Sequence, residues 1–255
     1  MAASFELVDP WDGGRVFTGH RRVRLGDVTR HGRLRLDAIA AYAQDIANDD
    51  TRASGYPDVM GWVVRRTWLR VTRWPDFGEE LDVATFGSGT GARWAERRTV
   101  LTGDHGGRVD VASIWVHVDI ASLALKRLPP EFFECFAIPD ERRSVSARLV
   151  HAPMPDDSAN DARVTRAPWP LRAADFDVLD HVNNAAYWVP VEDALERLGY
   201  DGLAVFCAEL EYRTAIEPAW AVDAVERGSL ATGDVYELWL AAGATLCATA
   251  KAWIS

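Results

Sequence analysis

The pattern of apolar positions predicts one long helix in each half of the chain. In the first half, Ile39, Tyr42 and Ile46 recur at spacings of three and four, as apolar residues do on one face of an amphipathic helix. The second half repeats this pattern with spacings of three, four and three, at Trp188, Val191, Leu195 and Leu198. Each predicted helix therefore has one face suited to packing on a sheet.

The second predicted helix carries its own start and stop signals. Asn183 or Asn184 would cap it, because a short amide side chain accepts an orphan backbone N–H at a helix start. Gly199 would end it. Pro190 lies inside the apolar pattern, so it should bend the helix or delay its true start.

Strand-like regions of similar sequence follow both predicted helices. They read WVVRRTWLRVTRWPDFGEELDVATF in the first half and LAVFCAELEYRTAIEPAWAVDAVER in the second. Three pairs of residues match between the halves, namely Leu69 with Leu210, Asp82 with Asp223, and Trp115 with Trp253. Strands outnumber helices, which favours an α+β fold with an antiparallel sheet covered on one face by a single helix in each half.

A short polar motif precedes each helix and also repeats. Asp27-Val28-x-x-His31 in the first half matches Asp177-Val178-x-x-His181 in the second. The same order of elements is thus predicted twice, and Asp27 and His31 would occupy positions equivalent to Asp177 and His181. A structural role is favoured for the first-half pair.

The two halves are separated by a segment with little periodicity. From about Pro139 to Ala162 the chain is rich in proline, aspartate, serine and alanine, which is typical of a linker, here with a short strand in it. The predicted organisation is a first domain at 1–138, a linker at 139–162 and a second domain at 163–255.

Composition excludes several classes of function. The chain has 255 residues, of which 48% are hydrophobic and 26% charged, as expected of a folded protein. Its formal net charge of -10 argues against nucleic acid or an anionic membrane as a partner. Two groups of arginines remain, either as solvated strand faces or as an anchor for a phosphate-bearing carrier: Arg65, Arg66, Arg70 and Arg73, and then Arg93, Arg97 and Arg98.

Cysteine usage and hydropathy favour a soluble cytoplasmic protein. Cys135, Cys207 and Cys247 are widely spaced, form no CxxC pair and are most simply reduced, buried apolar residues. The N-terminus lacks the apolar core of a secretory signal, and no apolar run reaches about 18 residues, the length needed to span a bilayer. The sequence predicts neither a metal nor a redox cofactor.

The second polar motif and its surroundings resemble the acyl-acyl carrier protein thioesterases of plants and bacteria. The signature is Asp177-x-x-x-His181-Val182-Asn183-Asn184-x-x-Tyr187, and the similarity extends over WVVRR, RWPDFGEELDVATFGSGTGARWAERR, ASIWVHVDIASLALKRLPPE and LEYR in the family's order. The resemblance implies a tandem double hotdog, in which two sheets each wrap around a central helix and pair as a pseudo-dimer within one chain.

The resemblance also implies an activity, the hydrolysis of a fatty acyl thioester of acyl carrier protein to release free fatty acid. The alternative is a close relative that also accepts thioesters of coenzyme A. The first hotdog would house much of the acyl chain, and the second would carry the catalytic residues. A monomer or a homodimer is compatible with this fold.

Two of the family's polar catalytic positions are apolar in this chain. Asp177 and His181 match, but the position of the family's asparagine holds Leu179 and that of its glutamate holds Ala215. Glu217 lies two residues further on, and strand alternation would put it on the same face as Ala215, so that it could replace the missing carboxylate.

Thioester hydrolysis needs an activated water or a carboxylate nucleophile, together with donors for the oxyanion. Asp177 would act as base or nucleophile, His181 would orient water or donate a proton, and free N–H groups at the helix start would receive the oxyanion. The structural alternatives are that Asp177 binds its own turn, that His181 is a buried histidine bonded to a carbonyl, and that Asn183 and Asn184 are caps. Leu179, Asn183 and Asn184 are also candidate substrate-binding residues.

Two other functions remain compatible with the residues. A non-catalytic or degenerate acyl-binding protein is suggested by Leu179 and Ala215. A hotdog hydratase or dehydratase is less favoured, because its D-x-N-P-x-H motif places the histidine five residues after the aspartate, whereas His181 follows Asp177 by four.

Overall fold

The computed structural model describes residues 6–57, 61–119, 121–155 and 164–255. The first half contains strand β1 (Val16–Arg22), helix α1 (Leu36–Ala53), strands β2 (Trp62–Arg73), β3 (Glu80–Thr90), β4 (Trp94–Gly103) and β5 (Arg108–His117), and the short helix α2 (Pro130–Cys135). The second half contains β6 (Val164–Trp169), helix α3 (Val189–Arg197), β7 (Phe206–Tyr212), β8 (Val222–Arg227), β9 (Tyr236–Ala242) and β10 (Thr245–Ile254). The order of elements predicted for both halves is confirmed.

The ten strands of the described residues join one antiparallel sheet in the order β1-β3-β4-β5-β2-β7-β10-β9-β8-β6. Read outward from its centre, each half has the same order, so the sheet has internal two-fold symmetry. The halves meet where β2 pairs with β7, and in that pairing Trp68 lies opposite Glu209. These two residues have the same separation along the chain as Leu69 and Leu210, so the symmetry axis passes through Trp68 and Glu209 and supports the predicted repeat.

Each long helix packs its apolar face on the same face of the sheet. On α1, Ile39, Tyr42 and Ile46 are buried, as predicted. In the second half Trp188, Val191 and Leu195 are buried, whereas Leu198 is 37% exposed beyond the helix end. No helix in the described parts of the chain is long and apolar enough to cross a bilayer.

The predicted roles of Pro190 and Gly199 at the second helix are confirmed, whereas neither Asn183 nor Asn184 caps α3. A 3₁₀ turn at Ala186–Trp188 precedes α3, which begins at Val189 with Pro190 in its first turn, so the proline delays the regular helix. Gly199 adopts φ +71°, and its N–H donates to the carbonyl of Glu196. This left-handed conformation stops the helix without the steric penalty that a side chain would add.

The predicted register of the two polar motifs is wrong by two residues. The turn N–H of Thr29 donates to the carbonyl of Arg33, and that of Asp177 donates to the carbonyl of His181. The positive φ of Gly32 corresponds in the same way to that of Asp180. Thr29 and Arg33 are therefore the structural equivalents of Asp177 and His181.

The identity between Asp27 and Asp177 is thus a coincidence of sequence, as is that between His31 and His181. Asp27 corresponds to Asp175, since each accepts the backbone N–H three residues before it at a 3₁₀ turn. Asp27 also accepts the hydroxyl of Tyr42, which gives it a structural contact.

The segment after α2 crosses the sheet on the face opposite the long helices. Trp94 Nε1 donates to the carbonyl of Val145, and Trp239 Nε1 donates to that of Ala152. Leu210 belongs to the core on the helix side of the sheet, so the next residue of the strand, Glu211, faces the opposite side. Glu211 accepts the N–H of His151 there. In the described part of the predicted linker, 139–155, a single bridge between Ser144 and Thr90 takes the place of the expected strand. Residues 156–163, which include the end of the predicted linker, lie outside the described residues.

Three members of the two arginine groups are held in ion pairs, whereas Arg73 and Arg93 are exposed. Arg66 pairs with Glu209, Arg97 with Asp50, and Arg98 with Asp110. The side chains of Arg66, Arg97 and Arg98 are only 14%, 14% and 3% exposed. They neutralise buried carboxylates, two on strands of the sheet and one, Asp50, on α1.

Two glycines in the β8–β9 connection provide a matched test of local geometry. Gly228 and Gly233 have φ of +93° and +92°, but a Cβ at Gly228 would lie 2.1 Å from the carbonyl oxygen of Val235, while one at Gly233 would meet nothing within 4 Å. Gly228→Ala is expected to lower the free energy of unfolding by about 1–3 kcal/mol more than Gly233→Ala, because only the first forces the backbone to move. Urea unfolding of both variants measures the difference, and equal losses would contradict it.

Candidate functional site

Asp177 and His181 face each other across a tight turn that precedes the second helix. Phe176 pairs with Val182, the N–H of Asp177 donates to the carbonyl of His181 at 2.9 Å, and the N–H of Asp180 closes the turn on the carbonyl of Asp177 at 3.0 Å. Val182 is buried and anchors the turn in the core. The turn therefore presents Asp177 and His181 from a rigid base.

The Asp177 carboxylate is partly used by the turn itself. Its Oδ1 accepts the N–H of Leu179 at 2.9 Å, which is the structural role considered from the sequence. The other oxygen, Oδ2, has no hydrogen bond to any of the described residues. One carboxylate oxygen thus orients the group, and the second remains available for chemistry.

The two asparagines have different structural tasks. Asn183 Oδ1 accepts the N–H of Ala185 at 2.9 Å, which stabilises the turn before the helix rather than capping α3 itself, since α3 begins at Val189 with no side-chain cap. Asn184 reaches the first half instead, because its Nδ2 donates to Gln44 Oε1 on α1 at 3.3 Å. Its carbonyl accepts the hydroxyl of Tyr212 at 3.0 Å.

The predicted oxyanion donors at the helix start are largely occupied. Asn183 accepts the N–H groups of both Ala185 and Ala186, the first with its side chain and the second with its carbonyl. Within the described chain the N–H of Asn184 has no partner. The free donors at this helix start are therefore fewer than the sequence suggested.

A cleft of about 660 Å³ lies between this turn and the first half of the chain. The second half contributes Phe176, Asp177, Val178, Leu179, Asn183 and Asn184 to its lining. The first half contributes four aromatic side chains, Trp62, Trp115, Phe132 and Phe136, and polar side chains that include Gln44, Asn48 and Arg97. The cleft is thus apolar on one wall and polar near Asp177, as a site for an acyl thioester requires.

His181 and Glu217 are not brought to the described lining of this cleft. The N–H of Val182 donates to the carbonyl of Ile216 at 3.0 Å, so Glu217 and His181 lie on adjacent backbone segments. His181 is partly buried, while the side chain of Glu217 is exposed and forms no hydrogen bond or ion pair with a described residue.

The strand argument for Glu217 is wrong. β7 ends at Tyr212, because the N–H groups of Arg213 and Thr214 both turn toward the carbonyl of Cys247. Ala215 and Glu217 therefore lie in an irregular loop to which strand alternation does not apply. The side chains that the structure gathers at the cleft are those of Asp177, Leu179, Asn183 and Asn184.

Charged groups from the first half also border the cleft. Burial raises the pKa of the Asp45 carboxyl, with Arg21 opposing the shift. Burial likewise raises the pKa of Glu96, opposed by a hydrogen bond from Ser88 and by Arg143. Asp50 lies between two arginines, as its oxygens accept from Arg15 Nε and Arg97 Nη1, each at 2.6 Å.

Sequence reasoning missed Gln44 and Arg97 as cleft residues. Gln44 is the one amide in a stripe of small residues at helical spacing on α1, with Ala40 and Ala47. That stripe borders both the cleft and a cavity of about 30 Å³ beneath α1. An amide between two alanines on the buried side of a helix is the signal that could have identified it.

Solved structures of similar fold include thioesterases. A Lactobacillus plantarum protein provisionally described as an oleoyl thioesterase superposes with a TM-score of 0.77 at 20% identity, covering 94% of this chain and 95% of that one. The 12:0-ACP thioesterase of Umbellularia californica superposes with a TM-score of 0.70 at 18% identity, covering 94% and 97%. The expected tandem hotdog fold is confirmed.

Relatives by sequence include one of undefined activity and several plant enzymes. An uncharacterised protein of Mycobacterium tuberculosis is 29% identical over 83% of this chain and 82% of its own length. An acyl-[acyl-carrier-protein] hydrolase of Cuphea viscosissima is 23% identical over 84% of this chain and 60% of its own length.

Models of both domains of one family match the chain. The acyl-ACP thioesterase N-terminal domain matches residues 14–136, and the C-terminal domain matches residues 158–254. With the cleft, the turn at Asp177 and the doubled fold already in place, these matches show that the chain belongs to the acyl-ACP thioesterase family.

Proposed function

We propose that this chain hydrolyses fatty acyl thioesters of acyl carrier protein at the cleft beside Asp177. Membership of the family supports thioester hydrolysis as the reaction class. The observation that carries the site assignment is the Asp177 carboxylate, held through Oδ1 by its own turn while it lines a cleft whose other wall is aromatic. The two domains at 1–138 and 163–255 would divide the work, with the first binding the acyl group and the second supplying Asp177.

In the proposed reaction Asp177 activates water. Its carboxylate accepts a proton from water as the water oxygen bonds to the carbonyl carbon of the thioester. The C–S bond of the tetrahedral intermediate then breaks, and the leaving thiolate takes up that proton. The products are a free acid and a free thiol, so all atoms are accounted for without a cofactor.

Donors for the oxyanion come from both halves of the chain. Asn183 uses its Oδ1 to accept the N–H of Ala185, which leaves its Nδ2 to donate. Gln44 uses its Oε1 to accept from Asn184, which leaves its Nε2 to donate in the same way. We assign Gln44 the role of the family's asparagine, whose position holds Leu179 in this chain. The reason is that the Gln44 amide, on α1, borders the same cleft.

His181 and Glu217 remain proposed members of the catalytic set. The turn holds His181 opposite Asp177, which suits it to orient water or to transfer the proton to the thiolate. Glu217 lies on the neighbouring loop and has an exposed carboxylate. The pairing of β2 with β7 supplies within one chain the contact that two separate hotdogs would make, which supports a monomeric pseudo-dimer as the working unit.

Release of free thiol from acyl carrier protein and coenzyme A substrates tests this function. We expect steady-state turnover of medium and long acyl chains, with the carrier protein thioesters preferred over those of coenzyme A. Tight binding of acyl ligands without turnover of either series would instead support a non-catalytic acyl-binding protein, for which Leu179 and Ala215 are the structural reason.

A further inference from the structure

Polar side chains lie between the cleft and the apolar core, around the small cavity beneath α1, which is unusual beside a surface proposed to receive a fatty chain. The inward-facing residues of β3, β4 and β5 are apolar near one end of the sheet, at Leu81, Leu101 and Val109. Toward the cleft they become threonine, serine and arginine. Thr85 and Thr99 lie 3.1 Å apart through their hydroxyls, and Thr67 and Ser113 lie 3.0 Å apart.

Arg97 lies at the junction of the cleft with the small cavity beneath α1, since it borders both. Its Nη1 donates to Asp50 at 2.6 Å and to Thr85 Oγ1 at 3.4 Å. Its Nε and Nη2 have no hydrogen-bond partner among the described residues. Its guanidinium carbon lies 5.3 Å from the centre of the Phe136 ring, so the charge borders the aromatic wall.

Asp50 does not fully neutralise this position. The carboxylate is 2% exposed and is shared between Arg15 and Arg97, which leaves one positive charge in excess within this group of three. A saturated chain laid against Arg97 would remove water from the guanidinium and return no hydrogen bond, which is unfavourable. An oxygen atom on an acyl chain that reached Arg97 would accept a hydrogen bond from its free N–H groups.

The acidic side chains in the rest of the cleft lining favour a neutral oxygen substituent on the acyl group over a charged one. Asp45 and Asp177 border the same cleft, so a carboxylate on the substrate would meet two acidic side chains and one arginine. A neutral hydroxyl or keto oxygen gains the hydrogen bond without that repulsion. We propose that this site selects acyl thioesters whose acyl group carries a neutral oxygen substituent, hydroxyl or keto, bound by Arg97. This inference rests on the proposed thioesterase function.

The test compares kcat/KM for acyl thioesters of equal length that differ only in substituent. The series is octanoyl, hydroxyoctanoyl with the hydroxyl at the third or the terminal carbon, 3-oxo-octanoyl, and the half thioester of the eight-carbon dicarboxylic acid. We expect the wild type to prefer at least one hydroxyl or keto substrate over octanoyl. Arg97→Met should lower that preference roughly tenfold to a hundredfold, as loss of a hydrogen bond to a charged donor does.

Arg98→Met is the matched control. Arg98 is the next residue in β4, is buried, and pairs with Asp110 on the opposite face of the sheet, so its loss removes a buried cation without touching the cleft. The substrate preference should be unchanged in Arg98→Met and partly retained in Arg97→Lys. Preference of the wild type for octanoyl or for the carboxylated substrate would overturn the proposal, as would an unchanged preference in Arg97→Met.

A binding measurement separates failure of this inference from failure of the proposed function. Trp62 and Trp115 line the cleft, so their fluorescence should report binding of octanoic and hydroxyoctanoic acids to the wild type and to Arg97→Met. Tighter binding of the hydroxy acid that disappears in Arg97→Met supports the selection even where no thioester is hydrolysed. Equal binding of both acids to the wild type would overturn it, whatever the activity.

Discussion

Asp177→Asn is expected to reduce kcat for thioester hydrolysis by about 10²–10⁴-fold while leaving the fold intact. Asparagine keeps a side-chain oxygen that can accept the N–H of Leu179, so the turn should survive. It cannot accept a proton from water, so the chemical step should fail. Thiol release under saturating substrate measures kcat, and thermal unfolding checks that the variant is folded.

Asp180→Asn is the matched control for this prediction. Asp180 lies in the same turn, is exposed, and has φ +60°, a conformation that asparagine tolerates well. The control makes the same chemical change three residues away and should retain activity close to that of the wild type. Full activity in Asp177→Asn, or an equal loss in Asp180→Asn, would show that Asp177 is not the catalytic carboxylate.

The doubled fold could be predicted because it rests on periodic patterns. Apolar spacing identified the buried face of α1 through Ile39, Tyr42 and Ile46, and the turn chemistry of Gly199 located a helix end. The residue pairs at matched separation also agree with the sheet, since Trp68 and Glu209, which have the separation of Leu69 and Leu210, are paired at its centre. Such signals survive because each is produced by local geometry that both halves share.

The register of the polar motifs could not be predicted from residue identity. His31 and His181 are the same residue type, but the backbone of the turn is defined by which residue adopts a positive φ. That residue is glycine at position 32 and aspartate at position 180, so the structural correspondence is hidden by an unlike pair. Hydrogen bonding across the turn, rather than sequence identity, determines the alignment.

The sequence identified only those residues of the candidate site that are close to one another along the chain. Asp177, Leu179, Asn183 and Asn184 all reach the cleft from one loop. Arg97 comes from the other half, where its position on the helix side of β4 depends on the strand register. Its arginine neighbours point elsewhere, so composition alone could not separate Arg97 from Arg98.

Gln44 is the second residue that depends on contact between the halves, because it meets Asn184 across 140 positions of sequence. Gln44→Leu is expected to lower kcat by about 10²–10³-fold, the usual cost of removing one oxyanion donor, with a smaller change in KM. Leucine fits a helix well, so the loss should reflect the amide rather than α1. The separate effects on kcat and KM distinguish a donor to the reacting carbonyl from a residue that only shapes the cleft.

The double variant Gln44→Leu/Leu179→Asn tests whether the amide can return to the family's position. Leu179 is exposed and already borders the cleft, so an asparagine there would present a donor from the turn itself. We expect kcat to recover at least part of the loss. Asn48→Leu, one helical turn further along α1 and also at the cleft, should stay near the wild-type rate. Recovery without an effect of Asn48→Leu would assign the donor to Gln44. A full loss in Asn48→Leu, or no loss in Gln44→Leu, would mean that α1 contributes shape alone and that Leu179 marks a mechanism without a second amide.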